Sequence, residues 1–184
     1  MYAPTHPHQI LYVDDEAALL EITRLFLEQT GEIAVDTTTD PFEAYGMIMA
    51  GWYDAVISDY HMPGMDGIAL LKRIREAGSQ VPFIIFTGRG REEVAIEALN
   101  SGVDFYIQKG GDPKAQFTVL AGTIRQLAGR RKAEETLHRA ESLAHLGSWA
   151  LDCETWQLTW SDEIYRILGL DPGERVMTYD AFLS

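Results

Sequence analysis

Polar side chains stand at the ends of short apolar runs where packing gives them no reason to be: Asp14 and Asp15 after residues 10–13, Asp59 after 55–58, Thr87 after 81–86, and Lys109 after 105–107. Singly, each has a plain structural reading. Paired aspartates ahead of a helix act as caps favoured by its dipole, and a threonine or lysine at a strand end is ordinary. Together, at strand ends that one sheet brings to a common edge, they make a site. Three carboxylates there repel, since two unit charges about 4 Å apart cost roughly 4 kcal/mol at an effective dielectric of about 20. They call for cations. A hard divalent ion held by a few carboxylates, a backbone carbonyl and several waters suits Mg2+, which leaves room for a phosphoryl oxygen; Lys109 adds a further point charge. In that setting a carboxylate can attack phosphorus and form an aspartyl phosphate. The cation, Lys109 and a hydrogen bond from Thr87 would stabilise the transferring group.

Such chemistry needs a scaffold that delivers single residues to one rim, and the stretch AVISDYHMPGMDG at residues 55–67 has that form. Ala55, Val56 and Ile57 bring Asp59 to the end of a strand, and Met62, Pro63 and Gly64 keep the chain from running straight into a helix. In an open parallel sheet this carboxyl edge is where ligands bind. Apolar runs at residues 10–13, 33–35, 54–58, 81–86 and 105–107 predict five strands. Between them Leu19, Ile22 and Phe26, then Ile68, Leu71 and Ile74, then Val94, Ala95, Ala98 and Leu99, recur at helical spacing. Asp40, Pro41 and Glu43 supply an N-cap, a first-turn proline and a capping-box glutamate, and Asp112 with Pro113 starts a further helix. Five alternations of strand and helix predict a parallel α/β sheet covered on both faces, with right-handed crossovers.

After residue 117 the helical pattern outruns a compact domain. Leu120, Ile124 and Leu127 keep one apolar seam, which meets Arg131 and Glu134 before apolar residues resume in another phase at Ala133, Leu137, Ala140 and Ala144. That jump reads as a stutter in a two-stranded coiled coil or as a solvated helix leading to a linker. The cluster Arg130, Arg131 and Lys132 reads as a solvated face. Beyond Gly147 the texture changes to two short strands and a short helix, with Trp149, Trp156 and Trp160 as core or interface aromatics. The expected division is residues 1–128, a helical linker at 129–144, and a last segment at 145–184.

The bulk numbers set limits. The 184 residues are 46 % hydrophobic and carry 15 basic against 28 acidic side chains, for a net charge of -13. An acidic chain is a poor candidate for phosphate neutralisation, so direct nucleic-acid binding is not expected. One cysteine, Cys153, leaves no internal disulfide and no cysteine metal cluster. No apolar run approaches a membrane span and the first residues lack the layout of a signal peptide, so a cytoplasmic protein is expected.

Over roughly residues 9–127 the sequence resembles the response-regulator receiver family of two-component signalling. The likeness rests on the acidic pair Asp14 and Asp15, the DYHMPGMDG loop, Thr87 followed by the small Gly88, and Tyr106 three residues before Lys109. It implies a flavodoxin-like doubly wound sheet of order 2-1-3-4-5. It further implies Asp59 as phosphoacceptor, with Asp14, Asp15, Asp59 and the His61 backbone carbonyl as magnesium ligands. Thr87, Gly88 and Lys109 would surround the phosphoryl group, Thr87 and Tyr106 would form a switch pair, and a histidine kinase would be the phosphodonor. Such a chain is a signalling phosphoacceptor that promotes its own phosphorylation and dephosphorylation, not an enzyme. The readout expected from the likeness is a homodimer through the fourth helix, fifth strand and fifth helix. One departure stands out: the family has proline after the lysine, whereas Gly110 and Gly111 follow here. Residues 143–184 resemble the opening of a PAS domain through AHLGSWALD, QLTWSDEIYRILGLDP and YDAFLS, a cut module rather than a working sensor.

Other readings fit the residues less well. A haloacid-dehalogenase-type phosphatase wants a second aspartate two residues after its nucleophile, where this chain has His61. A dinucleotide-binding fingerprint fails at its third glycine, since Glu93 follows Gly88 and Gly90. An interaction module that ignores phosphate typically loses a site residue, and none is missing. His61 and Arg89 flank the pocket entrance and are expected to tune the lifetime of the phosphoryl group.

Overall fold

The computed structural model describes residues 7–88, 92–153, 155 and 158–170. Five strands, β1 (His8–Val13), β2 (Ile33–Thr38), β3 (Ala55–Ser58), β4 (Phe83–Thr87) and β5 (Phe105–Gln108), form a sheet of order β2-β1-β3-β4-β5. Every pair is parallel. The helices between them are α1 (Ala17–Glu28), α2 (Pro41–Ala50), α3 (Gly67–Glu76) and α4 (Glu92–Asn100), and α5 (Pro113–Ala144) follows β5. This is the expected five-stranded α/β architecture. Strand alternation divides the core in two. Ile10, Tyr12, Ile57, Ile84 and Phe86 pack with α1 and α5 residues Leu20, Leu27, Phe117, Leu120, Ile124 and Leu127. Leu11, Val13, Val56, Phe83 and Ile85 pack with Ala44, Ile48, Ile68, Leu71, Ile74 and Ala98 of α2, α3 and α4.

Four local expectations are corrected. β2 is twice as long as its apolar run, because the ladder to β1 continues through Asp36, Thr37 and Thr38, and an edge strand tolerates polar residues on its open side. On α1 the buried line is Leu20, Thr23 and Leu27, while Ile22 is 57 % exposed; at 3.6 residues per turn, position 22 falls outside the arc that holds 20, 23 and 27. Leu99 of α4 is likewise 63 % exposed, and Ala98 takes the buried position. The capping box at α2 is also built differently. Asp40 Oδ1 accepts from the Phe42 N–H at 2.8 Å as an N-cap should. Glu43, however, accepts from the Thr38 hydroxyl, whose oxygen accepts the Asp40 N–H at 3.1 Å.

The chain divides into two compact units between Arg131 and Lys132. In the first, Arg131 is no solvated side chain: its guanidinium donates to the Tyr53 carbonyl and lies 5.6 Å from the Trp52 ring centroid. In the second, β6 (Trp149–Leu151) and β7 (Leu158–Trp160) form an antiparallel pair followed by α6 (Asp162–Leu168). The buried Glu163 carboxylate meets His145 Nδ1 at 2.9 Å and the Arg166 guanidinium, and the hydrogen bond from His145 chiefly holds its pKa below the usual range. Trp160 meets Tyr165 edge to face at 5.5 Å, while Trp149 is exposed; Trp156 and residues 171–184 lie outside the described residues. Among the described residues no helix is long and apolar enough to cross a membrane.

One glycine fixes how α3 meets the site. A Cβ on Gly67 would stand 2.3 Å from the Asp59 carbonyl oxygen and 2.9 Å from Ser58 Oγ, so the start of α3 presses directly on the end of β3. Gly67→Ala is therefore expected to destabilise the first unit by about 1–3 kcal/mol through forced backbone displacement, read as a lowered urea midpoint with unchanged slope.

Candidate functional site

The ladders run one residue past the strands and so set the height of each functional side chain. The Asp59 N–H donates to the Val13 carbonyl at 2.8 Å, which brings Asp59 beside Asp14. The Lys109 N–H donates to the Thr87 carbonyl at 2.7 Å, which fixes the lysine at the same rim from the far side of β4. Lys109 then reaches back across the sheet. Its Nζ passes 5.3 Å from the Phe86 ring centroid and donates to Asp14 Oδ2 at 2.6 Å and Asp59 Oδ1 at 2.7 Å. The three side chains are 15 %, 1 % and 10 % exposed, so these charges interact with little screening by salt.

Each carboxylate is further held. Asp14 Oδ2 accepts from the Tyr12 hydroxyl at 2.8 Å, and Oδ1 from the Glu16 N–H at 3.0 Å. Asp59 Oδ2 accepts from the His61 N–H at 2.6 Å, and the Ser58 hydroxyl donates to the Asp59 carbonyl. A pocket of about 130 Å3 opens over Asp59, lined by Asp15, Glu16, His61, Thr87, Gly88 and Lys109. Asp14 is fully buried beneath it.

The donors suit Mg2+ in a particular way. Among the described residues no three His, Cys, Asp or Glu side chains form a ready cluster for a metal. Asp15 and Asp59 nevertheless share the pocket with His61, and Mg2+ binds through one or two carboxylates while keeping several waters. The group fits on those terms. Asp14 differs from the other two acids, because three protein donors already occupy its oxygens.

Thr87 is buried at the end of β4. Tyr106 pairs in register with Ile85 and packs against the core on the α2–α4 side of the sheet. Its hydroxyl is buried with no hydrogen-bond partner among the described residues. Burial, and then the charges of Asp59 and Tyr60, push its pKa up. The residues after Lys109 take the place of the family's proline with conformations that favour glycine: Gly110 has φ +156° and Gly111 φ +82°, and the Lys109–Gly110 peptide is trans. Arg89 lies outside the described residues. Sequence reasoning overlooked Tyr12, Glu16 and Phe86. Tyr12 had a signal, since two residues along a strand from Asp14 must mean the same face.

Known proteins resemble this chain in the same region. The family model for the response regulator receiver domain matches residues 10–120. The transcriptional regulatory protein ResD of Bacillus subtilis is 34 % identical over 122 residues, 66 % of this chain and 50 % of that protein. The phosphoglycerate transport system transcriptional regulatory protein PgtA of Salmonella typhimurium is 33 % identical over 132 residues, 70 % of this chain and 32 % of its own length. The chain thus spans half or less of these two relatives. Among solved structures, the Francisella response regulator 1452 receiver domain superposes with a TM-score of 0.62 at 30 % identity, covering 67 % of this chain and 98 % of that one. A CheY-like receiver from Methanospirillum hungatei gives 0.60 at 26 %, again over 67 % and 98 %.

Replacing Tyr106 with phenylalanine removes a hydroxyl that is buried without a partner. Since such a group costs about 1–3 kcal/mol, Tyr106→Phe is expected to raise the unfolding free energy by about 1 kcal/mol or more in urea denaturation.

Proposed function

This chain belongs to the response regulator receiver family of phosphorelay signalling, and we propose that Asp59 is its phosphoacceptor, charged by a histidine kinase in the cytoplasm. The observation that carries the reading is the setting of the Asp59 carboxylate. One oxygen is bound to Lys109, the other to the His61 N–H, and the residue lines a pocket shared with Asp15 and Thr87. A carboxylate offers about four lone-pair sites, so these contacts orient the nucleophile without using it up. An Asp59 oxygen attacks phosphorus in line as the bond from phosphorus to the donor's imidazole nitrogen breaks, and the imidazole leaves with the electron pair. Lys109 and the Thr87 hydroxyl take the phosphoryl oxygens, with the Gly88 backbone beside them. Asp15, Asp59 and the His61 carbonyl would hold Mg2+, and Asp14 would support the group from below. When bound, the ion acts as a Lewis acid towards the phosphoryl oxygens. The chain promotes its own phosphorylation and dephosphorylation and turns over no separate substrate. His61 is placed at the pocket mouth to influence the lifetime of the product.

Phosphorylation replaces the single negative charge of the Asp59 carboxylate with a phosphoryl group of about 1.5 to 2 negative charges and three acceptor oxygens. Reversing a 1:99 equilibrium between conformers takes about 5.5 kcal/mol, and a few charge-assisted hydrogen bonds at roughly 1.5–3 kcal/mol each suffice. Thr87 moves toward the phosphoryl group and opens space behind it for the half-buried Tyr106 ring, whose hydroxyl has no hydrogen-bond partner among the described residues. The output face is α4, β5 and α5, where Ile96, Leu99 and Val119 are exposed. That face pairs two copies of the chain, and α5 carries the change along residues 120–144. The family match ends at residue 120, and the reading of residues 145–184 as the start of a PAS domain rests on the sequence likeness alone.

Incubation with acetyl phosphate is expected to add one phosphoryl group in the presence of Mg2+, none without it, and none to Asp59→Asn, as read by intact-mass spectrometry. A phosphorylated wild type that remains phosphorylatable after Asp59→Asn would remove the assignment. Size-exclusion chromatography should show dimer on phosphorylation, and Leu99→Glu should abolish it while leaving the phosphoryl adduct in place.

A further inference from the structure

Tyr12 is a fully buried residue of β1 whose ring packs 6.4 Å from Phe86 at a tilt of 53°. On packing grounds alone a phenylalanine or leucine would serve there. The hydroxyl instead reaches Asp14 Oδ2 at 2.8 Å, and that same oxygen accepts from Lys109 at 2.6 Å. An ionised carboxylate only accepts, so in this contact the phenol is the donor. On the α1 side the buried Thr23 hydroxyl has no hydrogen-bond partner among the described residues. Tyr12 and Phe86 thus form two sides of one support: the Phe86 ring lies under the lysine ammonium, and the Tyr12 hydroxyl restrains the carboxylate the ammonium binds.

A buried carboxylate with a single ammonium partner can rotate about χ2 and follow it. Asp14 is denied that freedom, because Oδ1 is tied to the Glu16 N–H and Oδ2 to Tyr12. Lys109 is consequently held between a fixed acceptor, Asp14, and Asp59, whose charge changes when it takes a phosphoryl group. We propose that Tyr12 is a positioning residue of the phosphoryl site, holding Asp14 in the orientation from which it anchors Lys109 over Asp59. The inference rests on Asp59 being the phosphoacceptor for its kinetic consequence, but not for the contact itself. Asp14 acts here as the lysine's anchor, leaving the carboxylates of Asp15 and Asp59 to face the pocket.

Tyr12→Phe keeps the ring and deletes the donor, and it is read in two ways. In metal-free protein the Lys109 side-chain ammonium, sheltered between two carboxylates, should give a resolved 1H–15N NMR signal that broadens or disappears in Tyr12→Phe. The initial rate of phosphorylation by acetyl phosphate should fall about tenfold, the scale of one charge-assisted hydrogen bond, while the thermal midpoint stays within a few degrees of wild type. A tyrosine that merely fills the core would leave both signal and rate unchanged, and that result overturns the proposal, as does a lost signal with an unchanged rate. If wild type accepts no phosphoryl group, the assignment of Asp59 fails, and the ammonium signal still decides the Tyr12 contact.

Discussion

One ammonium group held between two carboxylates at the rim of a parallel sheet is the constraint on which the rest depends. Lys109 comes from β5, Asp14 from β1 and Asp59 from β3, so the contact closes only if strand order, register and loop length all agree. With so little exposure the three charges cannot be satisfied by water, and removing one partner from such a cluster costs about 3–5 kcal/mol. The same arrangement is electrostatically unbalanced. Two carboxylates face one ammonium, with Asp15 and Glu16 at the pocket wall, and the excess negative charge suits a cation there.

The scaffold meets these demands through features that have little to do with chemistry. Two apolar layers clamp the sheet, and α3 starts against the Asp59 carbonyl because Gly67 carries no side chain. Lys109 is reached without the family's proline: the trans peptide to Gly110, followed by Gly111 in left-handed geometry, still leaves the ammonium within 2.7 Å of both carboxylates. Under the site, the Phe86 ring lies beneath the Lys109 ammonium and the Tyr12 ring packs against Phe86. Behind it, the unpartnered Tyr106 hydroxyl shows that the ring's burial is not the lowest-cost arrangement for its polar end.

Much of this was legible in the sequence, for identifiable reasons. Five strand–helix alternations and the polar residues ending the apolar runs carry the sheet and its rim, since a two-residue period and a strand terminus are local properties. Helix faces were harder. Ile22 and Leu99 fit an apolar pattern yet point outward, because a helix with apolar residues on several sides does not declare which side its neighbours occupy. The Glu43 contact with Thr38 and the Arg131 contact with Tyr53 join residues whose proximity is created by the sheet edge and by the packing of α5. The division of labour among the acids was hidden for the same reason. Asp14 and Asp15 are adjacent in sequence, but alternation buries the first and exposes the second.

The central claim is that a phosphoryl group bonds covalently to the Asp59 carboxylate. Reduction of the phosphorylated protein with labelled borohydride converts an acyl phosphate into an alcohol and leaves homoserine in place of aspartate. Peptide mapping should find the label at position 59 and at neither 14 nor 15; label at another residue, or none on protein that carries phosphate, would contradict the account.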